Sequence, residues 1–504
     1  MTNSFATYSR ENGGRVALLF LLFFLAIYAF VTAGFNAFVI VCMIPAVVLG
    51  GYVVFRWRMS AFWLLILINY FIQWKEFPTI GIPVSLPNEM LQLLLLAIAI
   101  IDARQTPHFE RAANLMLLAL TIWCGFIILE ILNDTCGLGI NIGAWYTGAR
   151  MLGFQLLYIF LVFSIYISSP EILRRYLIVW ACLCRFSALW TMKQQYLGFT
   201  HAEAIFMAGN VTHVIQGGTL FRYFSTFSDA ANYGCNAAAS AVALIIFGIS
   251  TKFKIERWFF IIVAILVIKS MFASGTRTAI FCMLAGMAVY IILSKSVKIA
   301  VPAAIAGFLI YSFLAFTNIA NGNQQIRRMR SAFKKGDASA NVRDINQETM
   351  KKYMRDAPWG IGLGMYGQQV PANNKYNRMA TIASDSDYVF IWLRSGSIGI
   401  TTFIISMLIM FGGACYIVFF RLKNPSLRGI GGAFCSAFVA IQLGGYANQV
   451  LLQFPNALIF YGGLTIVYIL PFIEPEWIKY ENNYLAKQKE KKRLKLEKKL
   501  ASRV

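Results

Sequence analysis

The sequence predicts an all-α polytopic integral membrane protein of about 12–14 transmembrane helices with one large external loop containing amphipathic helices, and three observations carry that prediction. Only 13% of the 504 residues are charged while 58% are hydrophobic. A soluble surface needs roughly 25% charged residues, so most of this surface meets something other than water. Apolar runs approaching the roughly 20 residues that carry a helix across about 30 Å of hydrocarbon recur along the chain. Basic residues also collect in every second connection between those runs. Together these exclude disorder, fibrous repeats and an ordinary soluble enzyme.

The candidate spans lie near 16–34, 37–55, 60–74, 88–101, 112–132, 151–168, 176–195, 230–249, 257–272, 276–294, 298–317, 386–420, 429–447 and 456–473. The run at 386–420 is long enough to be bent, and two of the weaker runs could be re-entrant. No small-residue cleavage site follows the first run and another span comes at once, so it reads as an anchor. With the N-terminus in the cytoplasm, the cytoplasmic connections hold Arg56 and Arg58, Arg104 and Arg111, Arg174 and Arg175, Lys252, Lys254 and Arg257, Lys295 and Lys298, then Arg421, Lys423 and Arg428. The tail agrees, because residues 487–499 carry eight basic and two acidic side chains suited to the anionic cytoplasmic leaflet. Both termini are therefore expected in the cytoplasm. The chain divides into an N-terminus (1–15), a transmembrane bundle (16–317), an external loop (318–384), C-terminal transmembrane helices (385–473) and a basic tail (474–504). The net charge of +23 thus follows membrane sidedness and implies no nucleic-acid partner. Nine scattered cysteines without a C-x-x-C read as small core residues.

One connection breaks the sidedness rule. Residues 318–384 hold eleven basic residues, Arg327 to Arg378, against Asp337, Asp344, Glu348 and Asp356, on the side where loops are normally poor in Lys and Arg. The simplest cause is an anionic ligand at the outer face. The bland reading is that long loops translocate regardless of charge. Within the loop, Asn341 to Asp356 places Val342, Ile345, Thr349 and Tyr353 at helical spacing and stops at Ala357-Pro358, which predicts an amphipathic helix or lid. The following Pro358-Trp359-Gly360-Ile361-Gly362-Leu363-Gly364 has glycines that could bring backbone amides close to a phosphate, although it lacks the βαβ context of a nucleotide fingerprint.

Charges also fall inside spans at Glu89, Glu130, Arg185, Lys193, Asp229, Lys269 and Arg394, mostly in the outer half, which points to a polar cavity opening outward. The simpler roles are snorkelling for Lys193 and Lys269 and an Arg185–Glu130 pair. Three patches set Arg beside Ser, Thr, Gly or Asp at outer ends of spans: Phe221-Arg222 to Asp229, Ser274-Gly275-Thr276-Arg277, and Asn341-Val342-Arg343-Asp344. The planar guanidinium fork binds phosphate oxygens bidentately and stays charged when partly dehydrated. A fourth patch is Asp385-Ser386-Asp387-Tyr388, followed by Leu393-Arg394-Ser395-Gly396-Ser397-Ile398-Gly399.

The order of these patches, over roughly 210–410, resembles the O-antigen ligase and O-antigen polymerase superfamily, which includes bacterial protein O-oligosaccharyltransferases. That family's signature has a His, a Gly eleven residues later and another Gly three further on. Here Asp385 stands in the His place before Gly396 and Gly399, so the sequence departs from the pattern at the residue the family would make catalytic. Arg222, Arg277 and Arg343 look like the family's arginines. The resemblance implies an inner-membrane enzyme, with its active site on the periplasmic side, moving a glycan from undecaprenyl pyrophosphate to an acceptor hydroxyl. The acceptor would be lipid A core, a second lipid-linked glycan or a protein, corresponding to ligase, polymerase or protein transferase. Arg222, Arg277 and Arg343 would hold the pyrophosphate, and Asp385 would be the base, with Asp387 or His213 as fallback. A single displacement would invert the anomeric centre without metal or cofactor. The Asp-x-Asp of 385–387 also matches a metal pattern of other glycosyltransferases, but residues two apart on a helix do not share a face. His201 and His213 otherwise read as solvated loop residues. A lipid-linked oligosaccharide or polysaccharide transporter is the competing class, since its basic cavity would also bind pyrophosphate.

Overall fold

A computed structural model describes residues 13–76, 85–101, 109–209, 215–216, 220–319, 322, 324–331 and 338–501. It separates into a unit of residues 1–64 and a unit of residues 65–504. The first consists mainly of α1 (Gly13–Arg56), broken at Gly34, whose φ of +79° is open to glycine at no steric cost. The break falls at the last residue of the span predicted at 16–34, just before the one predicted at 37–55. Its exposed Leu18, Phe20, Phe23 and Phe24 suit a lipid solvent.

The expectation of an all-helical membrane protein is met. Among the described residues, six helices are long and apolar enough to cross a membrane: Leu115–Leu132, Ile142–Tyr166, Ala230–Ser250, Asp387–Arg421, Pro425–Ala447 and Ala457–Lys491. Several other predicted spans are shorter apolar helices, including Arg58–Phe71, Leu86–Ile101, Thr278–Leu293 and Ala300–Phe316. The spans predicted at 176–195 and 257–272 form the helices Pro170–Tyr196 and Lys254–Ala273, which carry more charge. Among the described residues, strand is limited to an antiparallel pair, Ile215–Gln216 with Leu220–Phe221.

The second unit centres on α2 (Ala230–Ser250), α3 (Lys254–Ala273), α4 (Thr278–Leu293) and α5 (Pro425–Ala447), which pack on one another. Small residues let them approach. A Cβ on Gly286 would sit 3.0 Å from the Ser436 carbonyl, and one on Gly234 would sit 2.5 Å from Ser274 Oγ. At the N-terminal end of α3, charges pair off. Arg174 meets Glu256 and Tyr480, Lys252 Nζ lies 2.8 Å from Glu481, and Asn424 Nδ2 donates to the same carboxylate at 3.0 Å. These contacts latch the C-terminal helix α6 (Gly462–Ala501) to the bundle.

Helix α7 (Asp387–Tyr416) is interrupted at Gly396 (φ +68°), which fulfils the expected bend in the 386–420 run. At the break, the Ile398 amide donates to the Pro358 carbonyl (3.2 Å), while the amides of Ile361 and Gly362 donate to the Leu393 and Arg394 carbonyls (3.0 and 3.1 Å). The glycines of Pro358–Gly364 therefore serve this strap, and two of its amides are spent on α7; the phosphate-approach reading is corrected accordingly. A Cβ on Gly396 would stand 2.0 Å from the Pro358 carbonyl oxygen, so glycine is needed there.

The predicted amphipathic helix exists as α8 (Ala338–Met354) and packs near α7. Among its described side chains Met350 and Met354 are buried, whereas Ile345, expected on the apolar stripe, is 64% exposed. The predicted Arg185–Glu130 pair does not form: Arg185 is exposed, and Glu130 Oε2 accepts from Asn133 at 2.8 Å. Arg150 instead pairs with Glu89 (3.3 Å), and Lys193 with Glu203 (3.3 Å).

Candidate functional site

Three arginines converge where the C-terminal end of α3 turns into α4. Arg222 follows the short antiparallel pair and is anchored by Tyr223, whose amide reaches the Ala273 carbonyl at 3.5 Å. Its Nη2 donates to Thr276 Oγ1 at 3.2 Å, and Thr276 Oγ1 donates to the Ala230 carbonyl at 2.7 Å. Thus the first residue of α2 fixes the hydroxyl that positions the guanidinium. Arg277 lies one residue beyond Thr276, at the N-cap of α4. The third arginine comes from α9 (Gln324–Ser331): Arg328 Nε donates to the Gly275 carbonyl at 2.5 Å. Gly275 has φ +61°, and a Cβ there would meet Arg328 at 3.2 Å, so this turn needs glycine for both reasons.

The electrostatics are those of like charges held together. Burial, then the fields of Arg222 and Arg277, pull Arg328 down to about 9. Burial also lowers Arg222, with nearby Asp229 opposing the shift and Arg277 adding to it. A polyanion entering here would relieve the repulsion, so the cluster favours a ligand with several negative oxygens.

Around the arginines runs a polar network centred on the connection between α5 and α6. Asn448 Nδ2 reaches Thr278 Oγ1 (3.1 Å), one residue from Arg277, while Gln449 Nε2 reaches the Ser384 carbonyl (2.6 Å), one residue from Asp385. The Asn448-Gln449 dipeptide therefore joins the second arginine patch to the Asp385 turn. Gln453 bonds Ser228 Oγ (2.6 Å), and Asn456 bonds Asn232 (2.7 Å). Asp229 caps α2, its Oδ1 accepting the amides of Ala231 and Asn232 at 2.8 and 2.9 Å.

The two carboxylates of the fourth patch part company. Asp387 is 4% exposed, and its Oδ2 accepts the amides of Val450 and Leu451 at 2.6 and 2.8 Å, so it holds the 448–456 connection against α7. Asp385 is exposed and borders a cleft of about 20 Å³ with Asn346, Gln347, Met350 and Tyr446. That space admits about one water. The N-cap of α7 is Ser386, the next residue. His213 lies outside the described residues. Arg343 falls on α8, with its side chain outside the described residues, and His201 opens the helix His201–Gly209 as an exposed residue. Among the described residues no group of three His, Cys, Asp or Glu could hold a metal.

Sequence reasoning singled out Arg222 and Arg277 but left Arg328 among the other loop cations and overlooked the 448–456 connection. Four amide side chains in nine residues between two apolar runs was the available signal. Residues 262–404 match the family model described as O-antigen ligase. Over that stretch, under a third of the chain, the protein is similar to O-antigen ligases. The matched stretch contains Arg277, Arg328, Arg343, Asp385 and Asp387, while Arg222 precedes it. The match supports the superfamily resemblance and a glycosyltransferase-type membrane enzyme. No curated protein matches the chain.

Proposed function

We propose that this protein transfers a glycan from undecaprenyl pyrophosphate to an acceptor hydroxyl at the periplasmic face of the inner membrane, with both termini cytoplasmic. The observation that carries the reading is the convergence of Arg222, Arg277 and Arg328 beside a turn that bears a carboxylate. The acceptor oxygen attacks the anomeric carbon, the bond from that carbon to the pyrophosphate oxygen breaks, and the electron pair leaves with the pyrophosphate. The arginines stabilise the charge that grows there, a contribution of several kcal/mol for preorganised donors. The acceptor proton passes to Asp385, and one displacement inverts the centre. Asp385 is preferred over Asp387 because the Asp387 carboxylate is occupied by two backbone amides. His213 and Arg343 keep the roles that the family resemblance gives them.

Ligase-like transfer to a lipid A core is the version put forward, with polymerisation and transfer to protein as variants of the same chemistry. A flippase would need the cationic site to open to both faces. The paired charges at the other end of α3 favour the enzyme. The test is to reconstitute the purified protein with an undecaprenyl pyrophosphate glycan and to offer lipid A core, a second lipid-linked glycan or an acceptor peptide. Glycan moved to one of them supports the reading. Glycolipid translocation without bond exchange would replace it with the transporter.

A further inference from the structure

We propose that the open cavity between the outer end of helix Leu115–Leu132 and the Pro358–Gly364 strap is a separate subsite for a sugar ring of a membrane-anchored glycolipid, the acceptor; this rests on the glycosyl-transfer reading above. The cavity measures about 300 Å³ and is lined by Leu129, Leu132, Asn133, Asp134, Thr135 and Trp359. None of the six is basic, so the lining does not suit a pyrophosphate. It suits a small neutral ring, since that volume sits near the lower bound for ligand sites.

Trp359 is 41% exposed, and its indole lies parallel to Phe126 with ring centroids 5.8 Å apart, so the face that remains is held in place. A fixed indole offers an apolar, electron-rich surface to the C–H face of a pyranose. Polar groups complete the lining and are themselves braced. Asp134 Oδ1 accepts the amides of Leu138 and Gly139 at 2.8 and 2.9 Å, and Asn133 Nδ2 bonds both Glu130 Oε2 and the Trp359 carbonyl at 2.8 Å. Bracing of this kind lowers the ordering cost of binding hydroxyls. Behind Asn133, Glu130 is 2% exposed and its Oε1 is buried without a hydrogen-bond partner. A buried acceptor left unmatched is a second sign that a polar group belongs here.

The remaining wall explains how a ligand arrives. Leu129 and Leu132 are 57% and 68% exposed on a helix apolar enough to span a membrane, so their side chains face lipid and the cavity opens sideways into it. A sugar carried on a lipid enters from there without leaving the interface, the level at which Trp is favoured. The segment between Phe316 and Asp387 gives Arg328 to the cation cluster and Trp359 to this cavity. Donor and acceptor sites would thus be joined by one stretch of chain.

The test compares wild type, Trp359→Ala, Trp359→Phe and Leu132→Trp in nanodiscs. Leu132→Trp fills the cavity from an exposed position and leaves the strap contacts in place should Trp359→Ala fail to fold. The probe is radiolabelled short-chain monoglucosyl diacylglycerol, with the matching sugar-free diacylglycerol as control. Binding of the glucosyl lipid should weaken about tenfold in Trp359→Ala and Leu132→Trp, and Trp359→Phe should retain most of it. The acceptor KM should rise by a like factor while the donor KM stays unchanged. Equal binding of the lipid with and without sugar, or unchanged binding in both variants, would overturn the subsite. Glucosyl lipid binding that depends on Trp359, in a wild type that transfers nothing, would keep the subsite and remove the transferase reading.

Discussion

Helix α3 runs between two charge clusters built in opposite ways. At its N-terminal end Arg174 faces Glu256, and Lys252 faces Glu481, which also receives Asn424. About 30 Å away along its 20 residues, Arg222, Arg277 and Arg328 face one another, and Arg328 meets a backbone carbonyl and two like charges. The first cluster sets opposite charges against each other and holds helices together. The second sets like charges together with Asp229 nearby, and under the proposed function an anionic donor relieves the repulsion. Burying cations beside one another costs stability, a cost that the proposed pyrophosphate ligand would offset.

The strongest way to break this contrast is to alter the arginines. Arg222→Lys and Arg277→Lys keep the charge and lose the bidentate fork, and transfer in proteoliposomes should fall about 100-fold with normal expression. Wild-type turnover in both would mean that the cluster serves folding or topology.

Asp385→Asn should cost a similar factor of about 100 in turnover, with donor binding intact. Retention of more than about a tenth of the wild-type rate would remove Asp385 as the base. The partner experiment is Asp387→Leu, which strands the Val450 and Leu451 amides and should cost about 1–3 kcal/mol of stability, read as a lower melting temperature in detergent. An unchanged melting temperature would contradict its role as a clamp.

Glu481→Gln tests the other end. It should lower stability by about 1–3 kcal/mol while turnover per folded molecule stays at the wild-type value. A large loss of turnover at normal stability would erase the distinction between the two clusters.

The smallest expected effect is on pH. The folded-state value of Arg328 lies below its usual one, so the fold disfavours its charged form; that cost is fully present below about 9 and disappears as the pH rises beyond it. Anion binding runs the other way, because it needs the charge. Donor affinity, measured by equilibrium binding between pH 7 and 10, should be flat at first and fall a few-fold above about 9, where Arg328 loses its proton. A fall confined to lower pH would assign the titration to another group.

Much of the fold was legible because membrane helices announce themselves locally: the apolar runs, the bend at 386–420 and the break near Gly34 follow from composition over about 20 neighbouring residues. Arg222 and Arg277 were legible because arginine beside small polar residues at the end of an apolar run has few other uses. Other readings failed where the partner is remote. Helical spacing placed Ile345 on the apolar stripe of α8, but α7 selected Met350 and Met354.

The sequence by itself determined a helical membrane protein, the placing of its basic residues and two arginines of the cluster, since hydrophobicity and charge act on each segment separately. Only the tertiary structure decided which glycines match. The Pro358–Gly364 strap closes the break at Gly396, a fit set by backbone atoms that no side-chain pattern encodes. It also brought Arg328 to a turn 53 residues earlier, spent Asp387 on amides 63 and 64 residues later, and laid Asn448 against Thr278 across 170 residues. The Asp387 contacts satisfy buried amides, the other two join part-buried groups, and which group becomes available is settled only when the helices pack.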